Sequence, residues 1–388
     1  METISRGAWL QRFAASLGLL LCMAAATQAQ SPTLSIVLTG QSLLRWGLPT
    51  AAPTITSLLK GDAVFTNFEA TVFDPRKAQS PTDGAVVSPE ALESLKTFGF
   101  NVLSLPNNHS WDFKVLGIEN TLEHTKRLEL VHAGIGQTIE EAVAPGYMHT
   151  PKGTVALVAM ASGLIADGAS AAAARPGVNE LRIEGNAPNP DDAQRILRSI
   201  RNAKQRADLV IVYQHNHVFD KPFGTMMRER LPERLVPPDW LVKWTHAEVD
   251  AGADIIVMHG APLLHGVEIY RDRPIFFDLG NFIFQTALAN VWEPNAWESV
   301  VAYVDFEGST LKSIKFRPIA VNKIGERQGD TPDTRTNNLL LQTSGLPRVA
   351  TGEQAHAILR RLADLSRPFG TNVEINGEMA AVKLEPGN

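Results

Sequence analysis

Cysteine is almost absent from this chain. Its 388 residues include one, Cys22, and that one falls in an N-terminal segment that reads as a removable leader. The mature protein would then have no disulfide and no thiol nucleophile, and any metal site must be built from nitrogen and oxygen donors. A basic excess is absent too. The 36 Lys and Arg stand against 41 Asp and Glu, a formal charge of −5, and no basic run offsets this, so a nucleic-acid partner loses its electrostatic footing. No low-complexity linker and no internal repeat divides the chain. What is present, 44% hydrophobic and 20% charged residues, is the composition of a globular protein.

Residues 1–29 carry Arg6 and Arg12, then an apolar stretch over 14–21, then small residues ending at Ala29. This is the three-part pattern of a secretory signal with cleavage after Ala29, and its apolar part is shorter than the ~20 residues of a membrane span. Leu21 is too large to precede a lipoprotein cysteine. The expectation is an exported protein, periplasmic or at the cell surface. Its main domain covers 30–321, with a C-terminal extension, 322–388, packed on the same domain.

Beyond the leader, apolar strand-like runs alternate with helix-period segments. Leu34 to Gly40, Val102 to Leu105, Leu209 to Tyr213, Ile255 to Val257 and Ile275 to Phe277 read as strands. Ser88-Pro89 opens a helix whose apolar face is Leu92, Leu95 and Phe98 and which Gly99 closes. Residues 191–205 form another, with Ala193, Ile196, Leu197 and Ile200 on one face. The segments 300–306 and 311–316 around Glu307-Gly308-Ser309 predict a hairpin. The alternation implies an α/β fold with a central mixed, mostly parallel sheet covered by helices. Residues 161–176 read as a long surface loop over the site, 327–347 as a loose polar excursion, and 352–365 as a final helix.

Ligands of open parallel sheets bind beyond the carboxyl ends of strands, so the residues that follow each strand locate a candidate site. They are Gln41 after Gly40; Asn67 and Glu69; Asn107, Asn108, His109 and Asp112; His215 and His217; His259 and His265; and Asn281. Five of the ten histidines thus fall at strand ends, on what should be one edge of one sheet. A single histidine in a loop is more often a hydrogen-bonded surface side chain than a ligand; the joint placement makes the argument. His124, His132, His149, His246 and His356 lack that register and read as structural or surface residues. Imidazole, carboxylate and carboxamide together suit Mn, Zn or Fe, and a metal there would activate water and stabilise charge on a phosphoryl or carbonyl oxygen.

The blocks Ala63 to Glu69, Gly99 to Asp112 with Asn107-Asn108-His109, Asp208 to His215, Asp250 to Asp254 and Gly266 to Phe282 resemble, in order, the bacterial CapA/PgsA group of capsule and poly-γ-glutamate synthesis proteins, whose domain is similar to a calcineurin-type metallophosphoesterase. The resemblance implies a metallophosphoesterase-like sandwich in which Glu69, Asn108, His215 and His259 bind one or two divalent ions. His109 would be the catalytic histidine, oriented by Asp112, and Gln41, Asn67, Asn107, His217, His265 and Asn281 would meet substrate. The chain departs from the pattern where Gly40 is followed by Gln41 instead of an aspartate and where His259-Gly260-Ala261-Pro262 stands for a His-Pro-His. The first metal position is accordingly degenerate, and a fully degenerate site would hold no ion. Two functions follow. One is a metal-dependent hydrolase of a phosphoester or γ-glutamyl amide. The other is a non-catalytic component that binds an anionic polymer through its histidines and Arg175, alongside a polymer-synthesis membrane complex.

Overall fold

The computed structural model describes residues 32–78, 84–286, 289–326 and 338–384. The leader and most of the polar excursion lie outside the described residues. Among the described residues, no helix is long and apolar enough to cross a membrane.

The strands that build the site are, in chain order, β1 (Thr33–Leu43), β2 (Ala63–Glu69), β3 (Val102–Ser104), β4 (Gly153–Ser162), β5 (Leu209–Asn216), β6 (Ile255–His259), β7 (Asn281–Phe284), β8 (Glu298–Glu307) and β9 (Thr310–Val321). The covering helices are α1 (Glu90–Phe98), α2 (Lys114–Arg127), α3 (Pro190–Lys204), α4 (Asp239–Ala251) and α5 (Gly352–Ser366). A ten-stranded sheet contains β9, β8, β1, β2 and β3 in that spatial order, with β7 also paired to β1. The pairs β1–β2, β2–β3 and β1–β7 are parallel, whereas β1–β8 and β8–β9 are antiparallel. A six-stranded sheet has β4, β5 and β6 at its centre, all parallel.

The two sheets face each other. Ile36, Leu38 and Phe65 of one share a core with Leu157, Ile211, Tyr213 and Val257 of the other, and the Phe65 and Tyr213 rings are 5.5 Å apart. On the outer face of the large sheet, Val37, Val64 and Phe68 pack with Leu92, Leu95 and Phe98 of α1 and Ile118 of α2. On the outer face of the smaller one, Val210 and Val212 pack with Ile196 and Ile200 of α3 and Trp240 and Trp244 of α4. Period-two strands with both faces covered, and helices with one apolar stripe, leave this layered arrangement as the way to bury every face.

The helix-covered mixed sandwich is therefore as expected, as are the hairpin β8–β9 and the final helix α5. One expectation is corrected. The strand ends do not share one edge of one sheet, because β1, β2 and β3 belong to the large sheet and β5 and β6 to the smaller. They converge because the carboxyl ends of both parallel sets open at the same end of the sandwich.

Glycine sets the closest approach there. A Cβ on Gly40 would lie 2.3 Å from the carbonyl oxygen of Gly280, and Gln41 N donates to that same oxygen at 3.0 Å. Only glycine lets β1 run this near the turn that starts β7.

Candidate functional site

A cleft of about 300 Å³ opens at the carboxyl ends of these strands, and Gln41, Arg45, Glu69, Asn108, His109 and His217 line it, with Leu164, Phe223 and Trp292 as its apolar walls. A larger cavity of about 610 Å³, between Arg271, Leu311, Phe369 and Lys383, lies away from every strand-end residue named above. The smaller cleft is the candidate site because the chemistry converges there.

The loop after β3 is built by its own side chains. Asn107 donates to Phe68 O at 2.8 Å and accepts from His109 N at 2.9 Å, while Ser110 Oγ donates to Leu105 O at 2.7 Å. Asn107 is thus buried and committed to backbone, and its role is to present Asn108 and His109 to the cleft. His109 Nδ1 lies 2.7 Å from Asp112 Oδ2, which also accepts from Ala85 N at 2.7 Å. With Nδ1–H given to Asp112, His109 Nε2 faces Glu69 Oε1 at 4.0 Å. Burial opposes the imidazolium, but the Asp112 hydrogen bond and the charges of Glu69 and Asp112 outweigh it and raise the His109 pKa.

Glu69 ends β2 and is 4% exposed. Burial lifts its pKa to about 7, against the lowering influence of His109 and Arg45. Behind it stands His215 at the end of β5, completely buried. Its Nε2 is 3.0 Å from Asn108 Oδ1 and its Nδ1 is 3.0 Å from Tyr213 OH, two residues earlier on the same strand face. Asn67 Nδ2 lies 3.4 Å from the same Nδ1. Burial keeps the imidazoles neutral: His215 is pushed well below its ordinary value, and His217 and His259 down to about 3. Neutral imidazole is the form that ligates a metal.

The unpartnered atoms show whether these residues suit an ion. Gln41 Oε1, Glu69 Oε2 and both ring nitrogens of His259 are buried without a hydrogen-bond partner. Each would cost about 1–3 kcal/mol if left so; Gln41 and Glu69 line the cleft itself, and His259 stands in register beside His215. The 3.0 Å between Asn108 Oδ1 and His215 Nε2 also suits two atoms bound to one ion at about 2.0–2.2 Å. The set fits one ion. It offers a single carboxylate, Glu69, with neutral amides and imidazoles, and Gln41 supplies no second charge for another.

Among the described residues, the His/Asp/Glu trio whose ligand atoms lie within 4.8 Å of one another is elsewhere, at Asp74, Glu123 and His124. Cations of the chain already occupy it. Arg76 grips Asp74 at 2.9 and 2.6 Å and Lys77 pairs with Glu123. In the cleft, the carboxamide of Asn108 or Gln41 is needed to complete a ligand set.

Four other sequence candidates are not brought into the cleft. His265 is buried with Nε2 2.7 Å from the Arg234 carbonyl oxygen, so it braces a wall segment. Arg175 hydrogen-bonds Ser170 O of its own loop, at 2.8 Å from Nη2. Asn67 and Asn281 stand in register with Gln41 but do not line the cleft, Asn281 donating to Ala296 O at 2.8 Å. Conversely, Arg45, Phe223 and Trp292 line the cleft and were not among those candidates. The signal for Arg45 was its position five residues after Gly40, at the mouth of the first strand.

The sequence profile described as bacterial capsule synthesis protein PGA_cap matches residues 44–286. The chain belongs to this family. The PGA_cap match spans β2 to β7 and so includes every cleft residue named above except Gln41 and Trp292. Among relatives, the protein y4sH of Sinorhizobium fredii, uncharacterized, is 28% identical over 90% of this chain and 91% of its own. The capsule biosynthesis protein CapA of Bacillus anthracis is 30% identical over 58% of this chain and 51% of its own. Of solved structures, a novel phosphatase from Mycoplasma pneumoniae aligns with TM-score 0.44 and 12% identity over 75% of this chain and 94% of its own.

Proposed function

We propose that this PGA_cap protein is an exported hydrolase of a phosphoester or a γ-glutamyl amide, acting in capsule or polyglutamate synthesis with one divalent ion, Mn, Zn or Fe, in the cleft. The observation that carries the reading is the convergence of a proton-holding dyad, His109–Asp112, with buried, unpartnered donors on Glu69 and His259. Glu69, Asn108, His215 and His259 would hold the ion, which when bound lowers the pKa of water and stabilises charge on a phosphoryl or carbonyl oxygen. The Tyr213 hydroxyl at 3.0 Å from His215 Nδ1 fixes that ring's orientation, and by accepting the Nδ1 proton it would leave Nε2 free to ligate. Asp112 keeps a proton on His109 Nδ1, and the upward shift of the His109 pKa favours one on Nε2. As water adds to phosphorus or to the carbonyl carbon and the ester or amide bond breaks, that Nε2 proton passes to the leaving oxygen or nitrogen, and the proton shed by the added water restores it.

Turnover of p-nitrophenyl phosphate and of a γ-glutamyl anilide by metal-supplemented wild type and His109→Ala tests this. The expected result is hydrolysis of one of them, reduced roughly 10²–10⁴-fold in the variant. Unchanged rates in His109→Ala would overturn it. Gln41 favours a second reading, a non-catalytic binder of an anionic polymer. That reading requires tight polymer binding with no turnover of either compound.

A further inference from the structure

Arg45 is placed with more care than a surface arginine needs. Its backbone N–H and that of Trp46 both donate to Gln285 Oε1, at 2.9 and 3.0 Å, and Gln285 Nε2 returns a bond to Gly47 O at 2.8 Å. Gln285 is completely buried, so one side chain clamps three consecutive residues just beyond β1. The guanidinium is tethered once, by Nη1 to Gly84 O at 3.2 Å. Its Nε is buried and has no partner.

Neither carboxylate near Arg45 is hydrogen-bonded to it. Asp112 Oδ2 is taken by His109 and Ala85. Glu69, the other carboxylate facing the cleft, makes no hydrogen-bonded pair with Arg45; its nearest ionic contact is His109 Nε2 at 4.0 Å. The result is a fixed cation at the cleft mouth, tethered through Nη1 and with Nε unpartnered, beside the dyad and Asn108. A planar guanidinium held at one edge and open at the other suits bidentate capture of an oxyanion.

We propose that Arg45 is the residue by which the cleft recognises its substrate, binding a terminal oxyanion, carboxylate or phosphate, through Nε–H and the open edge of the guanidinium. This rests on the cleft being the site, and it adds which group of the substrate is held and by what. Gln285 acts through Arg45 and is a positioning residue.

Calorimetric titration of inorganic phosphate and of glutarate into wild type, Arg45→Lys and Arg45→Met tests it, with each protein both chelator-stripped and supplemented with Mn. Loss of a charge-assisted pair predicts affinity lowered roughly tenfold to a hundredfold in Arg45→Met. Arg45→Lys, which keeps stem and charge but not the fork, should fall between and serves as the folding control. Whichever anion binds wild type more tightly identifies the source of the oxyanion. Equal affinities in wild type and Arg45→Met, or no binding of either anion to wild type, would overturn the proposal. Because the stripped protein reports Arg45 without an ion, this outcome is separate from failure of the metal reading, which the supplemented arm and its metal content report.

Discussion

Glu69 is a carboxyl group whose burial makes it hold its proton well above the usual carboxylate range. Its folded pKa of about 7 exceeds the ordinary value of 4.5, so the folded metal-free protein holds the proton more tightly than the unfolded chain does. The stability this contributes is full below pH 4.5 and is lost as pH rises through 7, a difference of about 3 kcal/mol. Glu69→Gln removes that dependence. Urea unfolding of stripped protein should show the variant gaining about 3 kcal/mol on wild type between pH 4.5 and pH 8; parallel curves would contradict it. The imidazoles act in the other direction. His217 and His259, held near 3 by burial, contribute stability above the ordinary histidine range that is lost as pH falls through their folded values. Asp112→Asn removes the hydrogen bond and the charge that raise His109. A hydrolase that needs the His109 proton should then lose activity at lower pH than wild type on the alkaline side of its profile, and an unmoved limb would take His109 out of that role.

At the scale of elements, two contacts hold the cleft open. Gly40 brings β1 against the Gly280 turn, and Gly40→Ala would drive a Cβ into backbone. A loss of about 1–3 kcal/mol is expected, as for overpacking, read as a lower unfolding midpoint. Arg234 and Glu293, each 7% exposed, form two hydrogen bonds of 2.9 Å that tie residues 231–235 to the segment carrying Trp292. Arg234→Met alone should cost about 3–5 kcal/mol by stranding Glu293, and pairing it with Glu293→Leu should recover most of that. Full additivity of the two singles would contradict the pairing. These contacts explain what the sequence could and could not reveal. The strand ends at Gly40, Asn67, His215 and His259 were legible because apolar runs and their stops are local. The clamp on Arg45 was not, because its partner Gln285 lies 240 residues away. Nor were the destinations of His265 and Arg175, whose side chains turn to backbone carbonyls that no periodicity announces.

At the scale of the molecule, the assignment of each strand end to one or the other sheet was hidden for the same reason. Strand β1 pairs with β8 from Thr33 opposite Glu307, a register that only the closed fold supplies. What survives from sequence to structure is the joint placement of donors, now drawn from both sheets. An ion bound only by the folded state stabilises it by mass action, about 2.7 kcal/mol at a hundred times the dissociation constant. Chelator should therefore lower the melting temperature of wild type and leave a His215→Ala variant unmoved. The most direct test is the metal content of purified wild type, His215→Ala and Asn108→Ala by plasma mass spectrometry, with folding checked by circular dichroism. The account predicts about one Mn, Zn or Fe per wild-type chain, from the single-ion donor set, and a stoichiometry near zero in both folded variants. Wild type free of metal after Mn, Zn or Fe supplementation, or variants that retain it in full, would contradict the assignment of this cleft as a metal centre.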